Sequence, residues 1–238
     1  LSQIFSPSLW WVRSTRADYL LVLLNQALML LLTPLFMGKL VLVGSLFFGL
    51  HYLFDRPVWI SPLPMGVVAT GFTLCLFLLD DFTRYWLHRL MHRCPILWPF
   101  HRVHHTAEVL TPFTVLRTHP VEAVLFALRG MLVQGLCIGI FVFFFGQQVT
   151  LLTWLGASVF NACFNIMGAN LRHSHISLSY GPWLEQWLIS PAQHQLHHSN
   201  ALQHRNLNYG AALALWDRLG GTLGLGSATQ QLHFGVQD

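Results

Sequence analysis

The residues best equipped for chemistry are histidines, and three short motifs carry them. "HRLMH" occupies 88–92, "HRVHH" 101–105 and "HQLHH" 194–198. His88 and His92 stand four residues apart, so a helix puts them on one face, one turn from each other. His101, His104 and His105 follow an i, i+3, i+4 pattern, and His194, His197 and His198 repeat it. Each motif can aim up to three ring nitrogens at one point. Imidazole is the commonest metal ligand among side chains, and one zinc or iron ion takes about three to six ligands. The three motifs offer eight imidazoles, and His119, His173 and His175 stand near them, so the supply suits two metal ions. A lone HxxxH is more often an amphipathic helix with solvated histidines. Eight histidines at ligand spacing in one charge-poor chain leave little room for that reading.

Imidazole suits zinc, copper, iron and nickel alike. The chain has only nine Asp and Glu residues, and Asp18, Asp55 and Asp238 are remote from the motifs. A carboxylate-bridged di-iron bundle is therefore not expected, and an all-nitrogen site is. Redox iron with O2 would serve C–H activation, whereas zinc would serve hydrolysis through an activated water. Spacing does not choose between them. Asp81 and Tyr85 lie on the stripe of His88, seven and three residues before it, and Asp81 is expected to hold a ligand histidine through its other ring nitrogen. Glu122, just after Pro120, fits either that role or a carboxylate at a helix N-terminus. Asn170 and Asn208 read as backbone caps, Asp217 as a cap or salt-bridge partner, His204 and His233 as surface residues, and His51 as a hydrogen-bonded core residue.

The elements that must position these groups are apolar. The chain is 54% hydrophobic and 9% charged, against about 25% charged in soluble domains, so much of its surface is expected to face lipid. Residues 18–37 are long enough for one span, for which about 20 residues are needed. Residues 40–54 are short, so a re-entrant or interfacial helix is as good a reading as a span. Residues 63–93 read as one helix that leaves the bilayer, and 120–145 with 148–168 as a helical hairpin turning at "GQQ". Shorter helices follow. The fold class expected is an all-α integral membrane bundle of about four transmembrane helices, with a helical cap on the cytoplasmic side carrying the histidines. Arg84, Arg89, Arg93, Arg102 and Arg117 near the motifs argue for the cytoplasmic side. The whole of 1–238 reads as a single membrane domain, with N-terminal membrane segments at 18–62 and a catalytic unit at 63–225. The chain opens on Leu1 rather than Met, which leaves room for residues before it, and no cleavable signal peptide is expected.

Other classes fit poorly. The net charge of +4 is not arranged as a basic stripe with interleaved aromatics, so nucleic acid is not an expected partner. Cys75, Cys94, Cys137 and Cys163 form no CxxC pair and read as free thiols. A metal transporter would place its histidines inside the spans, and a zinc-dependent lipid hydrolase or lyase remains the rival enzyme.

These motifs resemble those of the fatty acid hydroxylase/sterol desaturase superfamily over roughly residues 63–225. "DFTRYWLHRLMHR" is similar to its first histidine helix, "FHRVHHTAEVLTPFTVLRTHPVE" to its second box with the following His-Pro-x-Glu, and "SPAQHQLHH" to its last box. "NYG" and "WDRLGGT" are similar to its C-terminal segment. The resemblance implies a membrane-bound non-haem enzyme with two iron ions (zinc in purified protein is compatible). It uses O2 to hydroxylate or desaturate a C–H bond of a fatty acyl lipid, sterol, carotenoid or other isoprenoid. It also implies a separate electron-donor protein. Carried over by position, the metal ligands would be His88, His92, His101, His104, His105, His119, His173, His194, His197 and His198. The segment "MGANLRHSH" departs from the family, with Gly168 where many members have histidine, so the ligand there is His173 or His175. Gly220 stands where an aromatic is common, and a looser contact is expected at that point.

Overall fold

The computed structural model describes residues 6–54, 63–150, 153, 155–160, 162–163, 172–226 and 232–236. The described residues are helical, with no strand beyond one isolated antiparallel bridge between Leu188 and Leu213. The helices are α1 (Pro7–Trp10), α2 (Arg13–Phe36), α3 (Gly38–Phe54), α4 (Met65–Arg93), α5 (Trp98–His105), α6 (Pro120–Phe145), α7 (Gly181–Leu184), α8 (Pro191–His198) and α9 (Leu215–Gly220). The chain divides into two compact units. One comprises Leu1–Met29, Asp81–Val124 and Asn165–Asp238, and the other Leu30–Asp80 and Leu125–Phe164.

Among the described residues three helices are long and apolar enough to cross a membrane: Arg13–Pro34, Met65–Arg93 and Pro120–Phe145. The shorter apolar helix α3 has 17 residues and buries none of them. Helix α4 runs unbroken for 29 residues, about 43 Å at 1.5 Å per residue. That exceeds the roughly 30 Å hydrocarbon layer, so its last turns, which carry His88 and His92, extend past a span. Pro95 stops it, lacking an amide hydrogen and disfavouring helical backbone at Cys94. A Gly146–Gln148 turn follows α6, and residues 155–160 are again helical. Residues 164–171, including Gly168 and Asn170, fall outside the described set.

In the second unit Phe72, Leu76, Val133, Cys137 and Ala157 form the buried core. Helices α3 and α6 approach closely because Gly135 and Gly139 lack side chains. A Cβ at Gly135 would stand 2.6 Å from Leu42, and one at Gly139 3.0 Å from Leu46. Small residues one turn apart are the usual means of such packing in lipid. Two polar pairs lie in this unit: Lys39 donates to Gln134 at 2.9 Å, and Arg129 meets Asp80 at 2.8 Å.

The first unit is built around polar anchors. Arg117 and Asp18 form a buried ion pair at 2.8 Å. Thr114 Oγ1 donates to the second Asp18 oxygen. Asp18, remote from the motifs in sequence, is thus tied directly to the segment that follows the second of them. Helix α8 begins with a capping box, in which Ser190 Oγ accepts from Gln193 N and Gln193 Oε1 accepts from Ser190 N. All eight residues of α8 are buried.

Candidate metal centre

Four pieces of the first unit carry nine histidines into one buried volume. They are the end of α4, helix α5, the segment at 173 and helix α8. The nine form two groups, His88, His92, His101, His105 and His197 in one, His104, His173, His194 and His198 in the other. Within each group the ligand-capable nitrogens all lie within 4.8 Å of one another. Two nitrogens on opposite sides of one ion, each bonded at about 2.1 Å, would stand about 4.2 Å apart. The groups touch: the His105 and His198 rings stack at 4.6 Å.

Each HxxHH box is divided between the groups, rather than aimed at one point. His101 and His105 face the first group while His104 faces the second; in the other box His194 and His198 face the second while His197 faces the first. Helical geometry gives the reason. Residues i and i+4 point within about 40° of each other, and i+3 and i+4 diverge by about 100°. The two boxes therefore exchange partners, each giving a pair to one group and a single histidine to the other.

The ring orientations are set from behind. His88 Nδ1 donates to the Tyr209 carbonyl at 2.8 Å, His104 Nδ1 to the Arg117 carbonyl at 3.1 Å and His197 Nδ1 to the Leu207 carbonyl at 2.7 Å. A carbonyl can only accept, so these rings carry their proton on Nδ1 and present a lone pair at Nε2. His101 Nδ1 meets Glu122 Oε1 at 2.8 Å. Burial holds His101 down to about 3 and His104 to about 4, and holds His105, His194, His197 and His198 well below the ordinary imidazole value. These imidazoles are neutral at pH 7, the form that ligates metal.

The donor set fits metal ions. Buried nitrogens without a hydrogen-bond partner include Nε2 of His88, His101, His105, His197 and His198, both nitrogens of His92, and Nδ1 of His194. Each such orphan costs about 1–3 kcal/mol, and together they rival the roughly 5–15 kcal/mol net stability of a domain. In the second group His173 Nε2 stands 3.1 Å from His104 Nε2 and 2.8 Å from His194 Nε2. A nitrogen-only cage of this kind suits zinc, copper, iron or nickel.

Several sequence-predicted residues fall elsewhere. His119 belongs to neither group; its Nδ1 accepts from Val121 N, capping the start of α6, and its ring lies 4.9 Å from Phe100. His175 is exposed, while its neighbour His173 joins the second group. Asp81 is buried as expected, but it accepts from Ala212 N, Leu213 N and Trp216 Nε1, not from a histidine. It anchors the C-terminal segment to α4, because three donors converge on it from there. The Tyr85 hydroxyl accepts from Arg89 and lies beside Gly220, where an added Cβ would collide with it. The space beside Gly220 is therefore filled by Tyr85, and no looser contact results. His204 is buried rather than on the surface, and His233 is exposed.

Sequence reasoning missed the backbone acceptors and what holds them. Asp217 accepts from Tyr209 N at 2.8 Å and Gly210 N at 2.7 Å, and Thr222 Oγ1 donates to it at 2.7 Å. That fixes the Tyr209 carbonyl under His88. Burial raises the Asp217 carboxyl to about 6, against the lowering effect of these donors. The motifs "NYG" and "WDRLGGT" are the two halves of this anchor, a pairing that only long-range contact reveals.

Residues 73–222 match the model of the fatty acid hydroxylase family, which covers more than half of the chain. The chain is 30% identical over 142 residues to an ornithine lipid hydroxylase of Rhizobium tropici, covering 60% of this chain and 38% of that one. It is 28% identical over 210 residues to the alkylglycerol monooxygenase of Homo sapiens, covering 87% and 41% respectively. It is 29% identical over 176 residues to a Delta(7)-sterol 5(6)-desaturase of Aspergillus fumigatus, covering 73% and 44%. The chain thus spans less than half the length of these relatives. No solved structure matches it. With the histidine boxes and the "NYG" anchor inside the matched region, the chain belongs to the fatty acid hydroxylase family.

Proposed function

We propose that the protein is a membrane-bound oxidoreductase that uses O2 to hydroxylate or desaturate a C–H bond of a lipid-type substrate, with two iron ions in the histidine cage. The observation that carries this reading is the pair of adjoining buried imidazole groups with unpartnered nitrogens. His88, His92, His101, His105 and His197 would hold one ion, and His104, His173, His194 and His198 the other. The catalytic unit would comprise residues 63–225. The relatives that support it are named as a lipid hydroxylase, a monooxygenase and a sterol desaturase.

The chemistry such ions supply when bound is the reduction of O2 coupled to C–H oxidation. The chain's own residues prepare for it. Neutral imidazoles would hold the ions without bringing negative charge of their own to the site. Glu122 and the Tyr209, Arg117 and Leu207 carbonyls keep the Nε2 lone pairs aimed inward. Most of these rings are buried, which keeps them neutral and ready to ligate. The apolar surfaces of α2, α3, α4 and α6 provide lipid contact, and the arginines near the motifs favour the cytoplasmic side for the site. Electrons would come from a separate donor protein.

Metal analysis of protein purified from iron-replete cells, paired with lipid profiles of aerobic cells with and without the gene, tests the reading. Two irons per chain and a lipid gaining a hydroxyl or a double bond are expected. Less than one metal per chain, an unchanged lipid profile, or O2-independent activity with bound zinc would overturn it.

A further inference from the structure

A cavity of about 410 Å³ opens beside the histidine groups, with His92, His105 and His197 of the first and His198 of the second in its wall. Its other walls include Trp98, Arg102 and Arg205, and no carboxylate among the described residues lines it. We propose that this cavity binds the anionic headgroup, carboxylate or phosphate, of an amphiphilic lipid, held by Arg205 beside Trp98. The inference deepens the proposed function by naming the charge class of the substrate, and it rests on that reading for the word substrate.

The lining points to an anion. The Arg205 guanidinium is part of the wall, and guanidinium matches carboxylate and phosphate with paired donors. Arg205 is solvent-exposed and lies over the Trp98 ring at 5.1 Å. The indole holds the cation in place without neutralising it. The same indole stands 5.2 Å from the His92 ring and 5.7 Å from the His105 ring. One ring therefore separates the guanidinium from the proposed ligands, and a headgroup held there delivers its attached carbons to the metal cage. The volume lies at the lower end of small-molecule pockets, about 300–1,000 Å³, enough for a headgroup and a few carbons but not a whole lipid. Leu202 and Val236 give the wall an apolar side for those carbons.

The test uses the full chain in neutral detergent, with metal content measured on every sample. Tryptophan fluorescence and calorimetry would follow three probes: mixed micelles of phosphatidylglycerol, mixed micelles of phosphatidylcholine, and inorganic phosphate. Phosphatidylglycerol is expected to bind at least about tenfold more tightly than phosphatidylcholine, with Trp98→Phe abolishing the fluorescence response but not the heat. Arg205→Gln is expected to weaken phosphatidylglycerol binding about tenfold, the loss of one charge-assisted contact, while Arg16→Gln, at another exposed arginine, leaves it unchanged. Equal affinity for the two lipids, or undiminished phosphatidylglycerol binding by Arg205→Gln, would overturn the proposal. Binding of inorganic phosphate without phosphatidylglycerol would overturn the lipid as the source of the anion. Low metal content with intact anionic selectivity would count against the oxygenase reading alone.

Discussion

His104 and His105 are adjacent in the chain and face different histidine groups. This divergence splits each box between two sites, so the sites can be emptied separately. His104→Ala removes one of four nitrogens from the second group, and His197→Ala one of five from the first. Each variant is expected to fall from two metals per chain to about one, whereas His175→Ala and His233→Ala keep two. Elemental analysis after gel filtration reads the ratio, and an unchanged ratio in His104→Ala would show that the second group is not a site.

Glu122 accepts from His101 and is itself buried. Glu122→Ala is expected to weaken metal retention about 10–100-fold, the usual effect of removing a group that orients a ligand. Glu122→Gln keeps an acceptor oxygen and should lose less. Competition with a graded chelator series measures the difference, and equal losses in both variants would point to packing rather than hydrogen bonding.

Six histidines, at 101, 104, 105, 194, 197 and 198, are held by burial below the ordinary value, two of them at about 3 and about 4. An unfolded chain protonates them near 6.5, so below that pH it binds more protons than the folded state. The stability of chelator-treated protein should be fully present above about pH 6.5 and fall as pH drops toward about 4. The slope is about 1.4 kcal/mol per pH unit for each histidine protonated only on unfolding. Denaturant melts at pH 8, 6 and 5 read this, and a flat profile would contradict the depressed values.

Gly220 leaves room for the Tyr85 hydroxyl. Gly220→Ala should destabilise by about 1–3 kcal/mol through overpacking, and adding Tyr85→Phe should restore part of the loss. Thermal melts of the single and double variants would reveal the coupling; additive losses would mean the two positions do not touch.

Arg117 and Asp18 pair at 2.8 Å with little exposure on either side. Arg117→Met should cost about 3–5 kcal/mol by leaving Asp18 charged and buried. The double variant with Asp18→Leu should cost less than the two single variants combined. Because the Arg117 carbonyl holds His104, Arg117→Met is also expected to loosen the second metal before the first.

Much of this architecture is local, and local order is readable along the chain. The i, i+4 spacing of His88 and His92, the apolar run of 63–79 continuing into "DDFTRYWLHRLMH", and Pro95 ending that helix all follow from the 3.6-residue repeat and proline's missing donor. The supply of nitrogen for two metals was also legible, because ligand type and count are properties of composition. Asp81 shows the limit. Its place on the stripe of His88 suggested a histidine partner, but backbone amides from 212 and 213 reached it first, and no spacing rule specifies which distant amide arrives.

The sequence by itself determined a membrane-type helical chain with histidines enough for two ions. Only the tertiary structure decided how those histidines divide. The division of each box depends on which way α5 and α8 face one another, a long-range packing outcome. The acceptors behind His88, His104 and His197 are backbone carbonyls, which every residue possesses, so nothing in the letters at 117, 207 or 209 marks them. His173, not His175, joins one of the groups and His119 joins neither for the same reason. A ligand must converge in space, and convergence is fixed by packing rather than by neighbourhood in the chain.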